Sequence, residues 1–299
     1  MDKILNFMMS QYEELPVSQH TLHHWLRQWI HSQEHRQTDS TFSARFPWKE
    51  MCLPQSYFLQ RKVWVNGQCF LTGPRYLAGD INRPFIDIVA SSANVDTFVL
   101  KAINTEWSEL KPQHIRQLIP GRKVANGVID QLLYAEKLTH NLEDSDDPLT
   151  LRLATSADFD WCRQAVLDCY NYSYSTIPTL AGSLYPIDND DLMNHLIKGN
   201  TYIINHMGNQ VGLIVCEKRE LAFLEGLFIL EEVILPSFRG SSLASRAQRL
   251  LQNHLYQLFG KDCLIAGTIL PENLPSIRTA EKVGRICVLK YEFLPTDSL

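Results

Sequence analysis

No stretch of this 299-residue chain is long and apolar enough to cross a bilayer as a helix, and the N-terminus MDKILNFMMSQYEE carries acids where a secretion signal carries bases. These two absences lead to the expectation of a cytoplasmic protein without a membrane partner. No CxxC pair occurs among the seven cysteines, Cys52, Cys69, Cys162, Cys169, Cys216, Cys263 and Cys287. Their scatter and odd number speak against a disulfide framework or a zinc site and predict thiols buried as small hydrophobes. There is no surplus of positive charge either. Lys and Arg total 28 against 33 Asp and Glu, a net charge of -5, which argues against a general nucleic-acid binder. A Walker-type Gly-Lys-Ser/Thr is also missing, which disfavours a nucleotide-phosphate binder.

What remains is an ordinary soluble composition, 45% hydrophobic and 20% charged, with a length comfortable for two domains. The acidic, turn-prone stretch NLEDSDDPL marks a linker at 142–149. It divides an N-terminal helical segment (1–40) and an α/β domain (41–141) from a second domain (150–299). In the second domain the patterning reads strand, two helices, three strands, helix, strand, helix, strand, an α/β (α+β) fold with a mixed sheet. Gly226 is the expected break in the long strand AFLEGLFILEEVILP, and NYSYSTIPTLAGSLYP reads as an aromatic loop.

The stretch ILPSFRGSSLASRAQRLL ends an apolar strand at a proline and opens a helix through small residues. A helix start leaves its first N–H groups unpaired, with the positive end of the helix dipole behind them. Gly240, Ser241, Ser242 and Ala244 allow close approach of a phosphate, and Arg239 adds a cation. The residues alone also suit a plain packing turn.

From about Leu149 onward the chain resembles the GCN5-related N-acetyltransferase (GNAT) superfamily. Arg239, Gly240, Ser241, Ser242, Leu243 and Ala244 match its (Gln/Arg)-x-x-Gly-x-(Gly/Ala) signature, and PENLPSIRTAEKVGR supplies Asn273 and Ser276 of a second hallmark. The resemblance implies acetyl-CoA as cofactor, with its pyrophosphate on the amides of the first motif and its pantetheine arm beside Val233, Ile234 and Leu235. Asn273 and Ser276 would orient the pantetheine end. It also implies acetyl transfer to a primary amine of a small molecule, peptide or protein by direct attack in a ternary complex. Two positions depart from the pattern. Ser242 stands where a glycine is usual, and Ala280 stands where a tyrosine often protonates the departing thiolate.

Acyl transfer needs an acceptor for the amine proton. Glu231 is the leading candidate, and Glu232 faces the other way in a regular strand. Glu225 ranks third. Tyr170, Tyr172 and Tyr174 are expected in the loop walling the acceptor site, where they and Asp188, Asp190 and Asp191 suit a cationic amine. Cys162, Val166 and Cys169 share helical spacing and read as a core face rather than as a nucleophile site. An alternative is a non-catalytic acyl-CoA-binding or interaction module on the same scaffold, which the loss of the motif tyrosine favours.

In the first half, His20, His24, His31 and His35 fall on one helix and read as a solvated face without metal, with Trp25 and Trp29 as the buried stripe. KVWVNGQCFL is an Asn-Gly hairpin, RPFIDIVASS a strand, NVDTFVLKAINTEWSEL a helix, and NGVIDQLLYAEKL a helix that places Tyr134 like the family's acid. The order repeats that of the second half and implies a degenerate GNAT-like copy, since SSANVD offers no Arg-Gly turn. Oligomeric state is not encoded in any of these features.

Overall fold

The computed structural model describes residues 2–140 and 148–296, so the linker centre, 141–147, lies outside the described residues. The chain divides into two compact units, each containing a segment from the other half of the sequence. Residues 1–131, 221–224 and 288–299 form the first unit, and 132–220 with 225–287 form the second.

The first unit opens with α1 (Asp2–Gln11), α2 (Gln19–His35) and a single turn α3 (Ser40–Ser43). Ser18 caps α2 by accepting from the Thr21 N–H. The buried stripe of α2 is Leu22, Leu26 and Ile30, not the two tryptophans, which are half-buried. Indole is polar at one edge, and Trp29 Nε1 uses that edge to donate to Val89 O at 2.8 Å. The histidines His20, His24, His31 and His35 are exposed. Strands β1 (Arg61–Val65) and β2 (Gln68–Tyr76) meet through Asn66 and Gly67, both at positive φ as a type I′ hairpin requires. Then follow β3 (Pro84–Ser91), α4 (Thr97–Glu106) and β4 (His114–Pro120), after which β5 (Val128–Lys137) passes into the second unit from Leu132 onward. Phe58, Ile86, Ile103, Trp107 and Ile115 are fully buried at the centre of this unit's core.

The second unit runs β6 (Leu149–Leu153), α5 (Phe159–Thr176), α6 (Asn189–Ile197), β7 (Thr201–His206), β8 (Asn209–Leu221), β9 (Leu224–Ile234), α7 (Leu243–Phe259), β10 (Leu264–Ile269) and α8 (Leu274–Lys282). The last strand is β11 (Ile286–Pro295). This is the mixed α/β order expected. Cys162, Val166 and Cys169 lie on the buried side of α5. Cys69, Cys162, Cys169 and Cys216 are buried as expected, Cys263 and Cys287 are half-buried, and Cys52 sits exposed at positive φ.

Three expectations are corrected. NGVIDQLLYAEKL is strand β5, not a helix. Its run Leu132–Leu133–Tyr134 is compatible with either period, and antiparallel pairing of Leu132–Lys137 with Ile269–Leu264 decides it. The three tyrosines are helical, because α5 continues to Thr176 and stops only where Pro178 forbids another turn. Gly226 does not break β9; a Cβ there would lie 2.9 Å from Leu264 O, so the glycine admits a neighbouring backbone.

The two units share one strand pattern. In the first, β1, β2 and β3 are antiparallel, β3 is parallel to β4, and β11 runs antiparallel to β4 from Leu289 to Pro295. In the second, β7 pairs antiparallel with β8, β9 is parallel to β10, and β5 closes antiparallel to β10. Each unit therefore takes its final strand from the other half of the sequence. Buried Glu292 fixes β11, accepting from Gln117 Nε2 at 2.6 Å and from the amides of Asn126 and Gly127 at 2.8 and 3.2 Å.

Candidate active site

In the second unit β9 and β10 pair in parallel only at Leu227–Ile265 and Phe228–Ala266. Beyond these pairs the strands separate and open a cleft of about 350 Å³. Val233, Ile234, Gly240, Ser242, Leu243, Ala244, Asn273 and Ser276 all border it, so both sequence motifs converge on one site. Leu235 and Ser241 do not border it.

At one end lies the start of α7. Among the described residues, the N–H groups from Gly240 to Ser245 donate to no protein acceptor. Gly240 and Ser242 both have positive φ, at 91° and 57°. Ser242 occupies the N-cap without making a side-chain cap bond. Its Oγ instead accepts from Lys282 Nζ at 2.5 Å, which brings an ammonium to the positive end of a helix. Like charges gathered this way, with small side chains and unpaired amides, suit an anion such as a pyrophosphate. Arg239 has other partners: it donates to Ile234 O at 3.1 Å and to Cys169 O at 3.3 Å, and stacks on Tyr172. It ties the end of β9 to the last turns of α5. Asn273 caps α8, with Oδ1 accepting from the Ser276 amide at 3.4 Å.

The carboxylates lie at the other end. Glu231 and Glu232 project to opposite faces of β9, as strand geometry dictates. Glu231 is buried; Tyr170 donates to its two oxygens at 2.9 and 3.2 Å, and the Ile187 amide donates at 3.3 Å. Burial dominates over these hydrogen bonds and pushes its carboxyl up to about 7. Glu232 accepts from Gln248 Nε2 at 2.6 Å, while Gln248 Oε1 accepts from buried Arg285 at 2.8 Å. Burial pushes Glu232 up to about 7 as well, against the attraction of Arg285. Arg285 reaches this position because Gly267 has no side chain; a Cβ there would stand 3.1 Å from Nη1. Glu225 is bound instead to Lys218 at 2.7 Å and does not border the cleft.

Of the three tyrosines only Tyr170 lines the cleft; Tyr174 donates to Leu184 O, and Tyr172 is exposed under Arg239. Tyr134 stays outside the cleft, packed on Ala280 and donating to Glu281 at 3.1 Å. A second cavity, about 620 Å³, shares Leu230 and Glu231 and carries Asp191, His195, Glu217 and Glu220. Gln248, Arg285, Lys282 and His195 were not singled out by sequence. Polar residues on the inward stripe of a helix (Ser245, Gln248, Gln252) were the available signal.

No protein-family model matches the chain, and no curated protein matches its sequence. Among solved structures it is similar to a GCN5-related N-acetyltransferase from Sphaerobacter thermophilus, at 11% identity and TM-score 0.48 over 78% of this chain and 79% of that one. It is also similar to a GNAT-family acetyltransferase from Listeria monocytogenes 4b F2365, at 12% identity and TM-score 0.41, covering 52% of this chain and 98% of that one. A Drosophila protein aligns over 99% of this chain and 96% of its own length, at 11% identity and TM-score 0.43. The structural neighbours are consistently GNAT-family acetyltransferases, all at low sequence identity and most over part of the chain.

Proposed function

We propose that the chain is an acetyl-CoA-dependent N-acetyltransferase acting on a primary amine by direct attack. One observation carries this reading. A single cleft at the parting of β9 and β10 joins six consecutive backbone amides without protein acceptors, Gly240 to Ser245, to a buried carboxylate poised near neutrality. The amides and Lys282 would hold the cofactor's pyrophosphate, and the stretch of β9 at Val233 and Ile234 that borders the cleft its pantetheine arm. Bound there, acetyl-CoA supplies an activated acyl carbonyl.

The chain's own residues then handle the proton. An amine is unreactive while protonated, so a base must take one proton from the incoming ammonium. Glu231 does so once ionised, and its value near 7 matches it to neutral pH. Tyr170 orients the carboxylate and does not supply the leaving proton, since burial raises its own pKa. The amine enters through the second cavity, which shares Leu230 and Glu231 and where Asp191, Glu217 and Glu220 outnumber the cations Lys198 and Arg219.

The test is turnover with the full chain. Acetyl-CoA is expected to raise Tm, and CoA release is expected with a suitable amine. Glu231→Gln should keep the Tm shift and lose about 100-fold or more in kcat. The absence of a tyrosine at Ala280 favours the second reading, a non-catalytic acyl-CoA-binding module. Stabilisation by CoA without turnover on any amine or peptide would establish it, and no stabilisation by CoA or acetyl-CoA would eliminate both.

A further inference from the structure

The first unit has its own parting of strands. Strands β3 and β4 pair in parallel from Phe85–His114 to Ile88–Gln117 and then separate, as β9 and β10 do. The carbonyls just past the last pair are already taken. Val89 O accepts from Trp29 Nε1 and Leu118 O from Tyr12 Oη at 2.9 Å, so α1 and α2 cover the strand edges that an extended ligand arm would use. The helix beyond is closed too. Asp96 caps α4 by accepting from the Val99 amide at 2.9 Å, placing a carboxylate where an anion would have to sit.

The gap is not filled completely. A cavity of about 200 Å³ remains, roughly the volume of six or seven water molecules in the liquid. Its wall holds three cations, Arg75, Arg116 and Lys123, together with Asp87. Arg116 is fully engaged: it binds Asp87 at 2.6 and 3.0 Å and Asp130 at 2.9 Å. Arg75 donates to Pro74 O at 2.7 Å and approaches a carboxylate only at 3.5 Å, at Asp87, while Lys123 meets the neutral Asn94 Oδ1 at 3.0 Å. Asp130 is not part of the wall but pairs with Arg116, so the three cations meet two carboxylates in all and one positive charge is left over. Trp29, Tyr12 and Tyr291 supply aromatic surface beside it.

We propose that this chamber binds a small molecule with one carboxylate on an apolar body, held through Lys123 and Arg75. The covered strand edges and the Asp96 cap leave no cradle for CoA, and the single surplus charge matches a monoanion. The site is independent of the cleft in the second unit.

Thermal unfolding of the full chain tests it, using a panel of monocarboxylates of up to about ten heavy atoms, each beside its primary amide. At least one acid should raise Tm where its amide does not. Titration calorimetry with that acid should show affinity at least tenfold weaker in Lys123→Met and in Arg75→Gln. A cooperative thermal transition and an unchanged circular dichroism spectrum in the unliganded variants report that they are folded. No shift with any acid, equal shifts with acids and amides, or unchanged affinity in a folded Lys123→Met variant would overturn the proposal.

Discussion

Glu231, like its neighbour Glu232, is held by burial well above the ordinary carboxylate range. Its folded-state value near 7 lies above the ordinary carboxylate value of 4.5, so between these limits the folded chain binds the extra proton. Its contribution to stability is thus greatest at low pH and is lost as pH rises through about 7. Glu231→Gln should flatten the decline in denaturant-measured stability between pH 5 and 8. Activity should run the opposite way, rising with pH through about 7 because only the ionised carboxylate accepts a proton. Tyr170→Phe removes a hydrogen bond that favours the ionised form, and should move the limb of kcat/KM to higher pH with little change in acetyl-CoA affinity. Sequence indicated Glu231 because it lies five residues before Pro236, where the family resemblance implies an acid. The partners that tune it were less legible: Tyr170 was one of three equal tyrosines until helix phase singled it out, and Arg285 was an unremarked residue after a helix.

At the scale of elements, two helix starts that look alike in sequence behave differently. Asp96 and Ser242 are both short polar residues before a helix, yet one closes its amides and the other leaves them bare. Asp96→Ala should cost about 1 kcal/mol of stability and leave acetyl-CoA affinity unchanged. Ser242 holds a left-handed backbone that disfavours residues with a Cβ by about 1–2 kcal/mol. Ser242→Gly is therefore expected to be neutral to stabilising by thermal unfolding, while freeing Lys282. If that ammonium meets the pyrophosphate, Lys282→Met should weaken CoA binding severalfold in calorimetry, an effect reduced by salt. The types of most elements could be read from period and turn chemistry. Strand β5 could not, because its neighbour β10 lies more than a hundred residues away, and the extent of α5 was hidden by side chains that usually mark loops.

For the whole molecule, the linker was an obvious place to divide the chain, but the compact units do not respect it. A fragment of residues 150–299 would lack β5, leaving the β10 edge bare, and would carry β11 without its partner β4. It should aggregate or melt without the cooperative unfolding in calorimetry that is expected of the full chain. The Gln117–Glu292 hydrogen bond joins residues 175 positions apart. On a ribosome, then, the half made first must wait for the half made last. Its β4 edge stays open through the synthesis of some 170 further residues, and closes only when Glu292 has left the exit tunnel. Such a chain is exposed to misassembly until β11 is made and depends on the integrity of that strand. A premature stop ahead of β11 would thus strike the unit built mainly from the first 131 residues, far along the sequence from the lesion.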